Sequence, residues 1–416
     1  MSSQSNVLPV APSSTSSLMP LLISGQCVFF FRPLDTSSTQ AVTIGFTSND
    51  QKNKLEFVFT DKCVACTLNG ELQCTSEQSG LVNYTNVYYW ISVDSQNQRL
   101  VAGMGEARIA TNFFLYEFSS SSVTERATIK NVLESLCYAT FDTKSVSGLR
   151  VLRDPIMKHD TPMLVKDKNE LTIEDEAKSV YIPVVNLSPM CQKMFQCVAG
   201  NKFILNTPDF PQFSKAIEHS IATPGCWCYE KLKKKRAEFN PEKPNINETY
   251  LRITVGENDG ESPGIPYVME IWPPNHYSPV HNHAGANAII RVLSGAIDVE
   301  LYPFLSGNEK VKPFGTKTFV QDDITWISPT LNQVHKLINT HKETCITIQC
   351  YLYGEEDHGH YDFFDFINAN KTIDQYEPDS DMEFLAFKKT MQEEWSKYVD
   401  PKPSSNTTRC LPWLCS

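Results

Sequence analysis

Apolar and polar positions alternate in short runs along most of this chain, and few stretches keep a helical period. Residues 27–32, 41–46, 54–59 and 87–93 are β-branched and aromatic runs separated by clusters of Ser, Asn, Asp and Gly. This spacing of short strands predicts a β-sandwich over residues 23–153. Residues 154–200 mix Asp/Glu/Lys turns with one apolar run at 179–185 and read as a linker or as the edge of the first domain. After residue 201 the period changes. Residues 213–221 and 228–239 carry helical patterns, the second strongly basic. Strand-like runs follow at 250–255, 267–272, 288–294, 297–302, 318–320, 325–327, 336–339 and 344–353. So many consecutive strands after two helices predict a β-barrel or jelly roll. An amphipathic helix over 381–397 is expected to pack outside it. The chain is therefore read as mainly β, with residues 1–22 a disordered tail and 399–416 a loose one. Ser294-Gly295, between an apolar and an alternating run, predicts a hairpin.

At 416 residues, with 41% apolar and 20% charged positions, the chain is long enough for two or three domains. A formal net charge of −11 argues against nucleic acid or an anionic membrane as partner. No apolar run is long enough to cross a bilayer, and the Ser-rich start lacks Lys and Arg, unlike a secretory signal. The expected location is the cytoplasm. The thirteen cysteines are scattered and are expected as reduced thiols. Cys63, Cys66 and Cys74, and likewise Cys226 and Cys228, lack a matching second pair at zinc-site spacing. The basic run at 231–236 reads as a solvated helix face. The five Asn-X-Ser/Thr sequons, at Asn83, Asn186, Asn247, Asn370 and Asn406, are chance matches in a cytoplasmic chain.

The chemistry centres on His281 and His283, two residues apart ahead of an apolar run. In extended chain such side chains share a face and can reach one metal. Alone the pair is a weak motif. Pro329 to Asn339 adds a turn leading into a strand that His335 opens. Together the two stretches resemble the two-part signature of the cupin barrel, in which such histidines converge on one metal.

Residues 285–289 contain no carboxylate, so the ligands would be three neutral imidazoles. A ligand set of that kind, with positions left open, suits non-haem Fe(II). In this the chain resembles the cysteine dioxygenase group of thiol dioxygenases. Trp272 stands nine residues before His281, Ser278 lies between them, and Tyr250 and Arg252 form a Tyr-X-Arg strand. The resemblance covers residues 201–366 and implies a C-terminal cupin domain, drawn here as 201–398. It implies metal binding by His281, His283 and His335. It also implies a substrate carboxylate held by Arg252 beside Tyr250 and Trp272, and a catalytic role for Tyr353 alongside Arg252. The implied reaction joins a small thiol, L-cysteine above all, with O2 to give a sulfinic acid. Cysteamine or 3-mercaptopropionate as the thiol, and a non-catalytic metal- or ligand-binding cupin, are the alternatives.

The chain also departs from that family. Ala288 stands where many members carry a cross-linking Cys, and Gln349 and Tyr351 replace the usual Ser and His before Tyr353. His276, His358 and His360 lie outside the matched motif and are not assigned as ligands. In the N-terminal half, Tyr89-Trp90-Ile91, the turn Gly103-Met104-Gly105 and Tyr116 resemble the farnesoic acid O-methyltransferase-like domain. That resemblance implies a binding or interaction module whose ligand the sequence does not name.

Overall fold

The computed structural model describes residues 18–34, 41–76, 87–119, 122–255, 267–353 and 364–400. Residues 1–17 and 401–416, Asn83, Asn406, His358 and His360 lie outside the described residues.

Two antiparallel sheets make up the N-terminal half. One runs β1 (Leu18–Pro20), β10 (Leu136–Phe141), β3 (Val42–Ser48), β4 (Lys54–Phe59), β5 (Val64–Leu68), β6 (Glu71–Ser76). The other runs β11 (Val146–Leu152), β2 (Gln26–Pro33), β7 (Tyr89–Asp94), β8 (Arg99–Met104), β9 (Asn112–Glu117). Alternate residues of both sheets meet in a core of stacked and edge-on rings that includes Phe29, Phe31, Phe46, Phe57, Phe59 and Tyr89. Residues 18–20, expected within the N-terminal tail, are strand β1, paired with β10. Helix α1 (Val123–Glu134) is capped by Ser122, whose Oγ accepts the Glu125 N–H.

The C-terminal half is built on an eight-stranded sheet. Its order is β13 (Tyr181–Pro183), β12 (Leu164–Lys166), β19 (Ile324–Ile327), β16 (Asn287–Ser294), β21 (Cys345–Leu352), β15 (Tyr267–Trp272), β14 (Leu251–Thr254), β24 (Met382–Glu383). A three-stranded sheet, β18 (Gly315–Val320), β17 (Ala296–Leu301), β20 (His335–Ile338), faces it. The hairpin of β22 (Phe364–Ile367) and β23 (Ile373–Tyr376) completes that side. Thus β12 and β13, from the stretch read as a linker or edge of the first domain, join the large C-terminal sheet. The short helix α2 (Ile173–Lys178) lies between them.

Strand β21 is buried along its whole length because both of its faces are covered. Ile346, Ile348, Cys350 and Leu352 pack towards helices, whereas Thr347, Gln349 and Tyr351 point into the space between the sheets. The helical layer contains α3 (Pro189–Val198), α4 (Phe213–Ala222), α5 (Trp227–Lys235) and α6 (Phe384–Val399). Opposite it, β17 alternates as its sequence predicts: Ile297, Val299 and Leu301 point inward, while Asp298 and Glu300 face outward.

The hairpin expected at Ser294-Gly295 does not form. β16 pairs with β19 and β21, and β17 pairs with β18 and β20. Gly295 is instead a corner at which the chain leaves one sheet for the other. Its φ is +75°, and a Cβ there would lie 2.6 Å from the Thr344 carbonyl oxygen. A register shift between Val292 and Ser294 turns the end of β16 towards that corner.

Candidate metal centre

The three histidines singled out from the sequence converge. His281 and His335 exchange backbone hydrogen bonds, each N–H donating to the other's carbonyl at 3.0 Å. This bridge joins the extended segment before β16 to the first residue of β20. The nearest ring nitrogens of His281, His283 and His335 all lie within 4.8 Å of one another, and the Nε2 atoms of His283 and His335 are 3.1 Å apart. Among the described residues, this is the one group of at least three His, Cys, Asp or Glu side chains that converges in this way.

Two of the rings are held from behind. His281 Nδ1 is 3.0 Å from the Pro279 carbonyl, and His335 Nδ1 is 3.2 Å from the Asn332 carbonyl. A carbonyl can only accept, so each Nδ1 carries the proton and each Nε2 offers its lone pair forward. Burial holds all three as neutral bases, and repulsion from neighbouring imidazoles adds to it at His283 and His335: His281 is pushed down to about 4, His335 to about 3, and His283 well below its ordinary value. Neutral imidazoles, two of them with Nε2 oriented forward, are a donor set that suits a divalent transition metal, so these residues fit such an ion.

The histidines line a cavity of about 80 Å³ between the eight-stranded and three-stranded sheets. Arg252, Tyr250, Trp272 and Tyr353, the other residues singled out from sequence, line the same cavity. Tyr250 and Trp272 are stacked, with centroids 4.3 Å apart and planes 17° apart, and both are buried. Arg252 is 4% exposed, and its Nη1 donates to the Pro378 carbonyl at 3.3 Å. Its backbone N–H donates to Asp381 at 2.8 Å.

Two features escaped the sequence. The first is Glu270, directly across from Arg252 in the β14–β15 pair and also on the cavity wall. Burial raises its pKa, while the Arg252 charge pulls it back down. Its signal was an acid embedded in an otherwise apolar strand, between Met269 and Ile271. The second is how the substituted residues are used. Gln349 Nε2 donates to Glu270 at 2.5 Å, and the Tyr351 hydroxyl donates to Gln349 Oε1. The Tyr351 ring in turn stacks on His283, 5.4 Å between centroids. A continuous chain thus runs from a candidate ligand through Tyr351 and Gln349 to Glu270, facing Arg252.

Of the flanking residues, His276 is buried against the Thr249 carbonyl (2.8 Å) and is no part of the cluster. Asn339 ties the scaffold, its Nδ2 donating to the carbonyls of Trp272 at 2.7 Å and Glu343 at 2.9 Å. Ala288 is fully buried beside Tyr351 in β16. Cys66 and Cys74 lie opposite each other across β5 and β6.

Strand order and site together define a cupin-type, jelly-roll-like fold with a three-histidine group between its sheets. No sequence-family model matches the chain. Among solved structures, it is similar to a cupin domain of an XRE-family transcriptional regulator from Enterobacter cloacae. That alignment has 15% identity, covers 25% of this chain and 97% of that one, and has a TM-score of 0.21. It is also similar to oxalate oxidase in complex with a substrate analogue, glycolate, with 18% identity, 31% and 58% coverage and a TM-score of 0.23. A third is a cupin superfamily protein from Desulfitobacterium hafniense, with 10% identity, 26% and 79% coverage and a TM-score of 0.19. The fold assignment rests on the strand order and the converging histidines. No helix among the described residues is long and apolar enough to cross a membrane.

Proposed function

We propose that this protein is a thiol dioxygenase that holds non-haem Fe(II) on His281, His283 and His335 and oxidises L-cysteine to cysteine sulfinic acid. The observation that carries the reading is the grouping of three neutral histidines, Arg252 and Tyr353 around one small cavity. The overall reaction is RSH + O2 giving RSO2H, with both oxygen atoms ending on sulfur. Iron(II), when bound, supplies adjacent open positions at which a thiol and O2 meet.

The chain's own groups supply selection and orientation. A cavity of about 80 Å³ admits about half a dozen water-sized groups, at roughly 10–15 Å³ each. That is the scale of a small thiol. Arg252 presents a planar fork to a carboxylate, and Glu270 offers the opposite charge to an ammonium. The two side by side favour a zwitterionic amino-acid thiol over one bearing a single charge. Tyr353 is assigned a hydrogen bond to the reacting end of the substrate. The apolar wall of Ile297, Val299, Leu301 and Phe319 excludes bulk water. The N-terminal sandwich, by its resemblance to the farnesoic acid O-methyltransferase-like domain, is assigned a binding or interaction role, and the protein as a whole a cytoplasmic location.

The test is O2 uptake and sulfinate formation by the iron-loaded protein across cysteine, cysteamine and 3-mercaptopropionate. Cysteine is expected to give the highest kcat/KM. Arg252→Ala should lower that value for cysteine by about 10- to 100-fold, as expected for loss of a charged hydrogen bond, and change cysteamine little. Absence of turnover with all three thiols would leave a non-catalytic metal-binding cupin as the reading.

A further inference from the structure

The loop that orients His335 is held by residues more than two hundred positions earlier in the chain. Gly105, at the end of the β8 turn, has a φ of +79°, and a Cβ there would lie 2.0 Å from the Pro303 carbonyl oxygen. The two halves therefore meet backbone to backbone. The next residue, Glu106, donates its own N–H to that carbonyl at 3.0 Å. Its carboxylate then reaches into the C-terminal half. One oxygen accepts the Gln333 N–H at 2.8 Å and the other accepts the Asn332 N–H at 3.0 Å. Arg108 Nη2 bonds Glu106 at 2.7 Å and Asn332 Oδ1 at 3.0 Å. Glu106, Arg108 and Asn332 are all buried.

What this clamp fixes is specific to the site. Asn332 sits at a φ of +63°, a left-handed conformation held by its surroundings. Its carbonyl is the acceptor behind His335 Nδ1. Gln333 extends the grip to the other histidine segment: Nε2 donates to the Ala286 carbonyl at 2.9 Å, and Oε1 accepts the Gly285 N–H at 3.0 Å. One carboxylate thus sets two successive backbone amides, and through them the residues that aim His335 and brace the turn after His283.

We infer that Glu106 and Arg108 of the N-terminal sandwich are positioning residues of the metal centre, so that the two halves form one functional unit. The inference rests on the three histidines binding a metal. A clamp of this kind raises affinity by preorganising its ligands, and loss of such partners typically weakens metal binding about 10- to 100-fold.

The experiment is Co(II) titration of the full chain, followed through the visible ligand-field bands. Three variants are compared with the parent: Glu106→Gln, the double variant Glu106→Gln/Arg108→Met, and Asp94→Asn. The double variant removes both buried charges together, so no lone charge is left to unfold the protein. Asp94→Asn breaks another buried pair of the same sandwich, Asp94–Arg99 at 3.3 Å, which does not touch the loop. The expected result is at least about ten-fold weaker Co(II) binding and altered bands in both Glu106 variants, with Asp94→Asn like the parent. Parent-like affinity and bands in a folded Glu106 variant would overturn the inference, as would equal weakening by Asp94→Asn. In the parent, amide exchange at residues 105–108 should slow together with that at 332–335 when Co(II) binds. Exchange at 105–108 that ignores the metal would overturn the inference even if the variants do not fold. Failure of the parent to bind Co(II) would overturn both this inference and the metal reading, and the two failures are thereby distinguished.

Discussion

Glu270, on the cavity wall, offers a test of the proposed substrate preference at a single side chain. Burial inside an apolar strand pushes the Glu270 carboxyl up, and the Arg252 charge on the next strand offsets part of that. Neutralising the acid with Glu270→Gln keeps the shape and the contact with Gln349 but leaves Arg252 as the dominant charge. The expected outcome is a shift in preference towards a thiol that carries a carboxylate and no amine. The ratio of kcat/KM for 3-mercaptopropionate to that for cysteine should rise, by about ten-fold for a lost charged contact of about 1.4 kcal/mol. An unchanged ratio would assign Glu270 a purely structural part. At this scale the sequence was informative where the signal was local. The spacing of His281 and His283, and the turn before His335, were readable because neighbours in the chain stay neighbours in the site. The link from Glu106 to Asn332 has no such trace, since nothing in either stretch names its partner.

Among the elements, strands were easier to read than their pairings. Period-two alternation located β17 and identified its inward face, but not the sheet to which it belongs. The turn signal at Ser294-Gly295 is the same for a hairpin and for a corner between sheets. The choice was made by packing against Thr344, a residue some fifty positions later. Gly295→Ala tests this account. The left-handed φ and the blocked Cβ position should together cost about 1–3 kcal/mol, read as a lower urea midpoint with an unchanged slope. Helix α1 escaped notice for a different reason. Leu133 is its one buried residue, so it shows no apolar stripe, and a capping serine alone does not predict a helix. The strands of the 154–200 stretch were missed because β12 and β13 are three residues each, too short for a period to emerge.

At the scale of the whole molecule, the sandwich and the cupin-type half are joined beside the three-histidine group. A bound ion stabilises whatever geometry it requires, and by the inference drawn from Glu106 and Arg108 that geometry extends to residues of both halves. Removing metal with a chelator should therefore lower the melting of the whole chain in calorimetry. The loss should be about 2.7 kcal/mol where the free metal had stood at a hundred times its Kd. A sandwich transition indifferent to chelation would mean that the halves are thermally independent. The change of period near residue 201 falls inside the C-terminal half, because β12, β13 and α3 before it already pack with that half's large sheet. The interface was not legible, because the residues that form it among those described, such as Gly105 and Glu106 against Pro303 and Arg108 over the Phe314 ring, carry no periodic signal.

The facing charges of Arg252 and Glu270 also bear on how the site meets its solvent. The chain carries a formal net charge of −11, and mobile ions screen surface charges over about 8 Å at physiological ionic strength. Arg252 and Glu270 are buried, where mobile ions screen less, and the group opposite Arg252 is covalently part of the wall. The enclosed pair is in effect a fixed electrolyte of the protein's own. The potential it gives a small guest should therefore change less with the surrounding salt than a potential at the surface.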